Sequence, residues 1–572
     1  MTSAVSFGHQ NTGVQLGGNT GNLTIQLLGS TEQPADEACL RDLRTTDPRD
    51  DRNRIEQAKG GLLKDSFRWI LSNEGFTQWL NSQDNRLLWI RADPGKGKTM
   101  LLCGIIEELT RSVGEVSNIS FFFCQASDAR INSATAVLRG LIYLLVEKQP
   151  PLISHVRSRY DKTGKALFED KNAFYAVSDI FTQILRDPTL QSTYFIVDAL
   201  DECTTDLNLL LALITRESSS PRQVKWIIYS RNWLEIEEQL ETTTQTSPIS
   251  LELNEASVSE AVEIFIRDKV EKLSKMKNYN QNIRKTVNDY LSQISQGTFL
   301  WVALVCEELA KISRLNTPKR LEAFPPGLND LYERMIDYIQ DSNEVDAEIC
   351  LRVLAIISTM YRPPTLHELK GFLELEKEDN GYDSEDVSEI IARCGSFLKT
   401  RDDIVRFVHQ SAQDFLRLSK DVFPRGLEVE HHATFTRSLY LIFPNLKRNI
   451  YGVSSPGLSA EEVKELEPDP SPLVAVRYAC IYWVDLFQDG VPGNSDGTSL
   501  DEGGILDRFL QESLLNWLEA LGIMGGISSG IAGMLKLERL LQVIGAPSKP
   551  SPRMYILMPK SICRAEEHRQ PY

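Results

Sequence analysis

The stretch "RLLWIRADPGKGKTMLLC" constrains the fold more than any other part of this 572-residue chain. A continuous apolar run enters a loop rich in glycine and lysine, and a helical pattern begins where the loop ends. Residues 92–99 match the phosphate-binding pattern GxxxxGK(S/T), except that Ala92 stands at the first glycine. A flexible basic turn is the alternative, but a strand before the loop and a helix after it are typical of a phosphate site.

The apolar run before the loop is one of a series. Candidate strands lie at 86–92, 118–124, 193–198, 225–230 and 249–253. They are continuous rather than alternating, as expected for strands that are buried on both faces of a parallel sheet. Because helical patterns fill the intervals, the series predicts a doubly wound α/β domain.

After residue 254 the strand pattern stops and amphipathic helices follow. Within 346–418, three helical patterns precede a short hairpin across 401–403, and a fourth helix follows it, which indicates a winged helix. The predicted fold class is therefore α/β, a P-loop NTPase parallel sheet followed by all-helical and winged-helix domains.

Two of these helices carry the capping-box pattern, Ser or Thr followed three residues later by Glu. The pairs are Ser257 with Glu260 and Thr365 with Glu368. Each pair is predicted to mark the start of its helix.

These patterns divide the chain into regions. They are 1–35, a flexible amino-terminal segment and candidate amyloid-type signalling motif; 36–85, a linker and leading helix; 86–254, the nucleotide-binding domain; 255–340, a helical domain; 341–420, the winged-helix domain; and 421–572, a helical carboxyl-terminal region with a loose tail. The leading helix is predicted at "GGLLKDSFRWIL", where Leu, Phe, Trp and Ile fall on one side.

The loop residues provide what nucleotide phosphates need. Gly95 and Gly97 let backbone N–H groups turn inward, while Lys98 reaches the β- and γ-phosphates and the Thr99 hydroxyl is a ligand for Mg²⁺. No guanine-reading motif Asn/Thr-Lys-x-Asp is present, which favours ATP and ADP as ligands. The predicted nucleotide-binding residues of this segment are Ala92, Asp93, Pro94, Gly95, Lys96, Gly97, Lys98, Thr99 and Met100.

A second polar group follows "TYFIVD". Asp198 ends this strand, at the sheet edge where ligands of open α/β sheets collect, and is predicted to hold Mg²⁺ together with Thr99. Asp201 and Glu202 lie where a carboxylate can position or deprotonate an attacking water. Arg231, after the strand "KWIIYS", places a guanidinium near a γ-phosphate. Alone, such residues are usually solvated, but the phosphate loop earlier in the chain favours the catalytic interpretation.

Composition excludes several classes of protein. A formal net charge of −17 argues against a broad nucleic-acid-binding face, because such binding depends on cationic contacts. The nine cysteines are scattered without CxxC pairs, which indicates reduced, buried thiols. The longest uncharged apolar stretch, at 520–535, falls short of the ~20 residues that span a bilayer, and no secretory signal is recognisable, so we expect a cytoplasmic protein.

The motifs, in this order, resemble one family. "CLRDLRTTDPRDDRNRIEQAKGGLLKDSFRWIL", "WIRADPGKGKTML", "FIVDALDEC", "GTFLWVALVCEEL", "FPPGLNDLYERM" and "VRFVHQSAQDFL" look like segments of the NACHT class of signal-transduction NTPases. The likeness is closest to fungal NLR-like (STAND) proteins, the group that includes heterokaryon-incompatibility proteins, and covers roughly residues 36–540. Two glycines frequent in the family are replaced here, by Ala92 and Ala199, and the usual carboxyl-terminal sensing repeats are not found.

The resemblance implies a switch. In such proteins ADP holds a closed monomer, and exchange for ATP opens it for assembly. A winged-helix histidine touches the ADP phosphates, which implies that role for His409, and Arg231 would sense the γ-phosphate. By itself, His409 at the end of a strand reads as a capping or partly buried histidine.

The amino terminus has two interpretations. Residues 1–31 contain no charged side chain, and short apolar and polar alternations at 14–16 and 23–25 are features of a cross-β segment. A disordered polar tail is the alternative on composition. The resemblance favours an amyloid motif that passes the signal to a partner effector protein.

The leading functional prediction is an ATP/ADP-dependent signalling switch with at most slow hydrolysis. A constitutive P-loop ATPase and an inert scaffold or decoy are the alternatives. Nucleotide binding and the rate of turnover separate the three.

Overall fold

The computed structural model describes residues 32–544, apart from 114–115, 221–222, 232, 242–245, 252–253, 342–343, 375–381, 395–396, 454–461, 464–465, 469–470 and 491–503. The candidate amyloid segment at 1–31 and the predicted loose tail beyond 544 lie outside the described residues.

Five parallel strands form the central sheet, in the order β2-β3-β4-β1-β5. They are β1 (Leu87–Arg91), β2 (Asn118–Phe123), β3 (Thr193–Asp198), β4 (Val224–Ser230) and β5 (Thr246–Ser250). The predicted fold class is confirmed. The edge strand β5 begins earlier than the predicted 249–253, because Pro248, which lacks a backbone N–H, is tolerated at an edge.

Helices precede the sheet and connect its strands on both faces. They are α1 (Glu32–Leu43), α2 (Pro48–Ala58), α3 (Glu74–Asn81), α4 (Lys98–Val113), α5 (Ala134–Lys148), α6 (Ile153–Thr163), α7 (Ala166–Glu169), α8 (Ala173–Leu185), α9 (Leu207–Ser218) and α10 (Leu234–Glu241). Large side chains such as Trp89, Trp226 and Phe122 are almost fully buried between the layers.

Two expectations for the segment before the sheet are wrong. The stretch interpreted as a linker contains α1 and α2, two helices with few apolar residues in their sequence. Arg139 of α5 holds the end of α1 by donating to the carbonyls of Leu43 and Asp42, at 2.9 and 2.8 Å. The predicted leading helix consists instead of two short 3₁₀ turns, Lys64–Ser66 and Arg68–Ser72. Between them Phe67 covers the surface of α4.

A helical region follows β5. Its helices are α11 (Glu255–Lys277), α12 (Gln281–Ile294), α13 (Phe299–Lys311), α14 (Thr317–Leu321) and α15 (Leu328–Gln340). The predicted capping box at Ser257 is wrong, because α11 already begins at Glu255. The preceding Asn254 instead ties the helix to the sheet, donating to the Ser250 carbonyl at 2.7 Å.

The predicted winged-helix pattern is present. Its elements are α16 (Glu344–Thr359), α17 (Leu366–Glu374), α18 (Ser384–Arg393), β6 (Leu398–Arg401), β7 (Ile404–Phe407) and α19 (Gln410–Leu418). The antiparallel strands β6 and β7 are joined through Asp402 and Asp403, both at positive φ, as a tight hairpin requires. The second capping box is confirmed, because Thr365 and Glu368 each accept the other's backbone N–H, at 3.2 and 2.9 Å.

The remaining helices pack around Trp483 and Trp517, whose rings meet edge to face. They are Leu427–Asn445, Arg477–Asp489, Ile505–Arg508, Leu514–Ile523 and Ile527–Ile544, with a π-helical turn at Phe509–Ser513. Within the described ranges, no helix has the length and apolar character that crossing a membrane requires. All eight cysteines in the described part of the chain are buried and unpaired, as predicted.

Candidate nucleotide-binding site

The phosphate loop connects the end of β1 to the start of α4. Gly95 and Gly97 have φ of +82° and +80°. Glycine adopts positive φ with little conformational strain, whereas a residue with a Cβ is strained there. Ala92 is not among the residues at positive φ, so the alanine fits there without backbone strain. Its N–H donates to the Ser230 carbonyl at 3.3 Å, which holds the loop against β4.

The loop also packs against the first turn of α13, which sequence reasoning did not connect with the site. A Cβ at Gly97 would lie 2.8 Å from the Phe299 ring, and one at Gly95 would lie 3.1 Å from Leu300. Lys96 Nζ donates to the Gln296 carbonyl at 2.8 Å. The helical region therefore contacts the residues that would wrap a phosphate.

Lys98 lies inside this loop. Its Nζ donates to the carbonyls of Ala92 and Asp93, both at 2.9 Å. Burial lowers the pKa of Lys98 to about 8, although the carboxylates of Asp201 and Asp198 act in the opposite direction. A phosphate beside Lys98 would favour its charged form in the same way. The other predicted residues of the segment, Pro94 and Met100, are partly buried alongside it.

Asp198 and Thr99 meet as the sequence predicts. Burial raises the pKa of Asp198, while the Thr99 hydroxyl hydrogen-bonds its carboxylate. Among the residues that the structure describes, the buried Oδ1 of Asp198 has no hydrogen-bond partner. An unpartnered carboxylate oxygen beside a hydroxyl suits Mg²⁺, which takes oxygen ligands and keeps several waters and phosphate oxygens. When bound, the ion would supply positive charge to the phosphates.

A sharp turn after β3 brings the other two acidic residues back toward the loop. Ala199, where glycine is frequent in the family, adopts φ 50° and ψ 49° in the left-handed region, a conformation that costs a non-glycine residue roughly 1–2 kcal/mol. Glu202 accepts the Ala126 N–H at 3.1 Å, and burial raises its pKa to about 7. Asp201 instead accepts the Arg231 backbone N–H at 3.0 Å. Glu202 is thus the carboxylate better suited to be a base near neutral pH.

Hydrolysis is expected to depend on pH through Glu202. A general base works as the carboxylate, so the single-turnover rate should rise between about pH 6 and pH 8, and should be about tenfold lower at pH 6 than on its plateau. Rates measured at saturating Mg²⁺ and ATP test this. Glu202→Gln should leave a low, flat profile; a flat profile in the unaltered protein would contradict the assignment.

Arg231 and His409 come from different units and lie together. The Arg231 Nε is 3.0 Å from Asp201 Oδ2, and its Nη1 donates to Asp414 Oδ2 of α19 at 2.5 Å. Burial opposes the charge of Arg231, yet Asp414 and the other carboxylates raise its pKa overall. His409 caps the same helix, because its Nδ1 accepts the Ser411 N–H at 3.1 Å. The hydrogen of the neutral ring is therefore on Nε2.

His409 stays neutral because of what surrounds it. Burial, with the positive charges of Lys59, Lys98 and Arg231, lowers the pKa of His409 to about 3. Lys59 was missed by sequence reasoning because it lies in the segment interpreted as a linker. The available signal was the Gly60-Gly61 pair that follows Lys59, a pattern typical of the end of a helix. These three positive charges would offset part of the charge of a bound phosphate, next to the carboxylates of Asp198 and Asp201.

Comparison with known proteins finds relatives of this chain. The family model "Nephrocystin 3, N-terminal" matches residues 65–231. The vegetative incompatibility protein HET-E-1 of Podospora anserina is 49% identical over 524 residues, which is 88% of this chain and 38% of that protein. The chain thus spans well under half the length of this curated relative.

Solved structures with partial similarity to this chain include a Walker-type ATPase of Pyrococcus abyssi. It is 10% identical, with a TM-score of 0.29, over 62% of this chain and 95% of its own. The Orc1 protein of Aeropyrum pernix, solved in complex with DNA, is 13% identical, with a TM-score of 0.26, over 68% of this chain and 97% of its own. Scores this low carry no argument about function.

Proposed function

This chain is a member of the fungal NACHT-type, NLR-like P-loop NTPases, and from that premise we propose that it is an ATP/ADP-dependent switch. Exchange of ADP for ATP drives self-association in incompatibility-like signalling, and slow hydrolysis resets the closed form. Mg²⁺ accompanies the nucleotide, held through Thr99 and Asp198.

The observation that carries this proposal is the position of α19. This helix belongs to the winged-helix unit, yet it brings His409 and Asp414 to a site built by the loop, β3 and β4. A ligand shifts a conformational equilibrium only by contacting the two conformations differently. A site shared between units meets that requirement, because the nucleotide's phosphates and α19 contact the same residues.

The proposal extends to location and partners. The protein acts in the cytoplasm, associates with its own copies, and passes the signal to an effector protein through residues 1–31. The winged helix serves packing and not nucleic-acid binding. The first two turns of α18 contain Glu385, Asp386 and Glu389, and the chain is acidic overall, so nucleic-acid phosphates would be repelled.

Nucleotide content and turnover test the proposal. A switch should retain ADP through purification and hydrolyse ATP far more slowly than the ordinary enzyme median of ~10 s⁻¹. Steady turnover near that median would favour the constitutive ATPase. A purified, folded chain that binds neither ATP nor ADP would favour the scaffold.

Replacing His409 by alanine is expected to loosen the ADP-bound form. Loss of one hydrogen bond to a charged phosphate should raise the ADP release rate about tenfold to a hundredfold, since such bonds contribute roughly 1.5–3 kcal/mol. Displacement of a fluorescent ADP by excess ADP measures the rate. His367→Ala, which removes an exposed histidine of the same winged helix, is the control. Equal release rates in the two variants would show that His409 only caps α19.

A further inference from the structure

The two carboxylates that hold Arg231 are not fixed equally. Asp201 contacts both the side chain and the backbone N–H of Arg231, and its side chain is 3% exposed. Asp414 contacts one guanidinium nitrogen, its side chain is 38% exposed, and its other oxygen accepts from Gln410 at 3.2 Å. Breaking the ion pair between Arg231 and Asp414 therefore costs less free energy than breaking the one between Arg231 and Asp201.

Both ends of that contact are nevertheless held in position. Trp89 Nε1 donates to Ser230 Oγ at 2.9 Å, and this hydroxyl donates to the Arg231 carbonyl at 2.9 Å, which fixes the end of β4. On the other side, Arg417 Nε donates to the Ser358 carbonyl at 3.0 Å, which fixes α19 on α16. The pairing of Arg231 with α19 is thus a defined contact between two packed units.

A γ-phosphate and Asp414 would need the same part of Arg231. Two of the three guanidinium nitrogens already meet carboxylates, Nε at Asp201 and Nη1 at Asp414. A γ-phosphate bound there would also bring negative charge close to the Asp414 carboxylate, and like charges disfavour each other. ADP has no group that makes this demand.

Resting on the proposed switch, we propose that Asp414 sets the preference of the closed conformation for ADP over ATP. It is a positioning residue that acts through Arg231, by holding the guanidinium against α19 through Nη1. ATP can bind fully only when Arg231 leaves Asp414, and this releases α19 and the winged-helix unit from the sheet domain. The discrimination between the two nucleotides therefore comes from competition for one guanidinium.

The test is the ratio of two affinities, measured by titrating the nucleotide-stripped full chain with ADP and with a β,γ-imido analogue of ATP. Asp414→Asn should raise the affinity for the analogue relative to ADP about tenfold, in the usual range of coupling between sites. Asp414→Ser is a second neutral variant with the same expectation. Asp414→Glu keeps the charge and should stay close to the unaltered protein.

A matched control breaks a different contact of the winged helix. Glu307→Gln removes the ion pair in which Lys399 of β6 lies 2.7 Å from Glu307 of α13, away from Arg231, and should leave the ratio unchanged. In an Arg231→Met background, Asp414→Asn should lose its effect, because neighbours in one network are not additive.

Two results separate the inference from the proposed function. If the unaltered chain binds both nucleotides but the neutral Asp414 variants leave the ratio unchanged, or change it equally in the Arg231→Met background, the role of Asp414 is overturned while the switch stands. If the unaltered chain binds neither nucleotide, the proposed function itself fails.

Discussion

Replacing Lys98 by alanine is expected to lower the affinity for ATP and ADP about a hundredfold to a thousandfold. Lys98 is the lysine whose ammonium group bonds the carbonyls of the loop itself, and loss of a buried charge partner typically costs roughly 2–5 kcal/mol of binding free energy. Titration with a fluorescent nucleotide measures the change.

The fold should survive this change. The ammonium group of Lys98 donates to two carbonyls of its own loop and lies 5.6 Å from the centroid of the Tyr229 ring. Burial already disfavours its charge, as its lowered pKa indicates. Thermal unfolding without nucleotide should therefore stay close to that of the unaltered protein. Lys165→Ala, which removes an exposed lysine of the same domain, is the control. Affinity close to normal in Lys98→Ala would remove the phosphate-loop assignment.

Replacing Glu202 by glutamine should slow hydrolysis about a hundredfold to ten-thousandfold while nucleotide binding persists. The amide keeps the size of the side chain, and its oxygen can still accept the Ala126 N–H, but it cannot take a proton from water. Single-turnover hydrolysis and titration, measured on the same preparation, separate the two effects.

Two further variants sharpen this result. Asp206→Asn removes a carboxylate from the same loop, at a left-handed position that asparagine tolerates, and should leave hydrolysis unchanged. Asp201→Asn should also slow hydrolysis, and should in addition weaken the hold on Arg231, because Asp201 contacts its Nε and its N–H. Unchanged single-turnover hydrolysis in the double variant of Asp201 and Glu202 would exclude both residues as catalysts.

The parts of the site that could be predicted are those that one short segment encodes. A buried strand followed by a glycine-rich loop and a helix specifies its own geometry, so the positions of Lys98 and Thr99 followed from the sequence. The same holds for Asp198, because carboxyl ends of parallel strands meet at one sheet edge.

The parts that could not be predicted depend on contacts between distant segments. Asp414 is an ordinary acidic residue of an amphipathic helix until α19 is seen against Arg231. Phe299 shows the spacing of a core residue, and nothing local reveals that it packs on Gly97. Lys59 was hidden for another reason: few apolar residues mark α2, so a segment that packs on the sheet domain reads as a linker.

Ala199 is a substitution whose structural effect could not be predicted from the sequence. The sequence shows alanine where the family often has glycine, and an alanine by itself removes no charge and no ligand. The structure adds that this residue adopts φ 50°, where a Cβ is strained. The strain lies in the turn that returns Asp201 and Glu202 to the site, which is where strained backbone tends to persist.

The molar mass of the full chain in solution, measured by light scattering in two nucleotide states, tests the switch most directly. One sample is the protein loaded with ADP and Mg²⁺; the other is Glu202→Gln loaded with ATP and Mg²⁺, so that hydrolysis cannot return it to the ADP form. The ADP sample should have the mass of a single chain, and the ATP sample the mass of an assembly. Equal masses in the two states, whether of single chains or of assemblies, would contradict a nucleotide-driven switch.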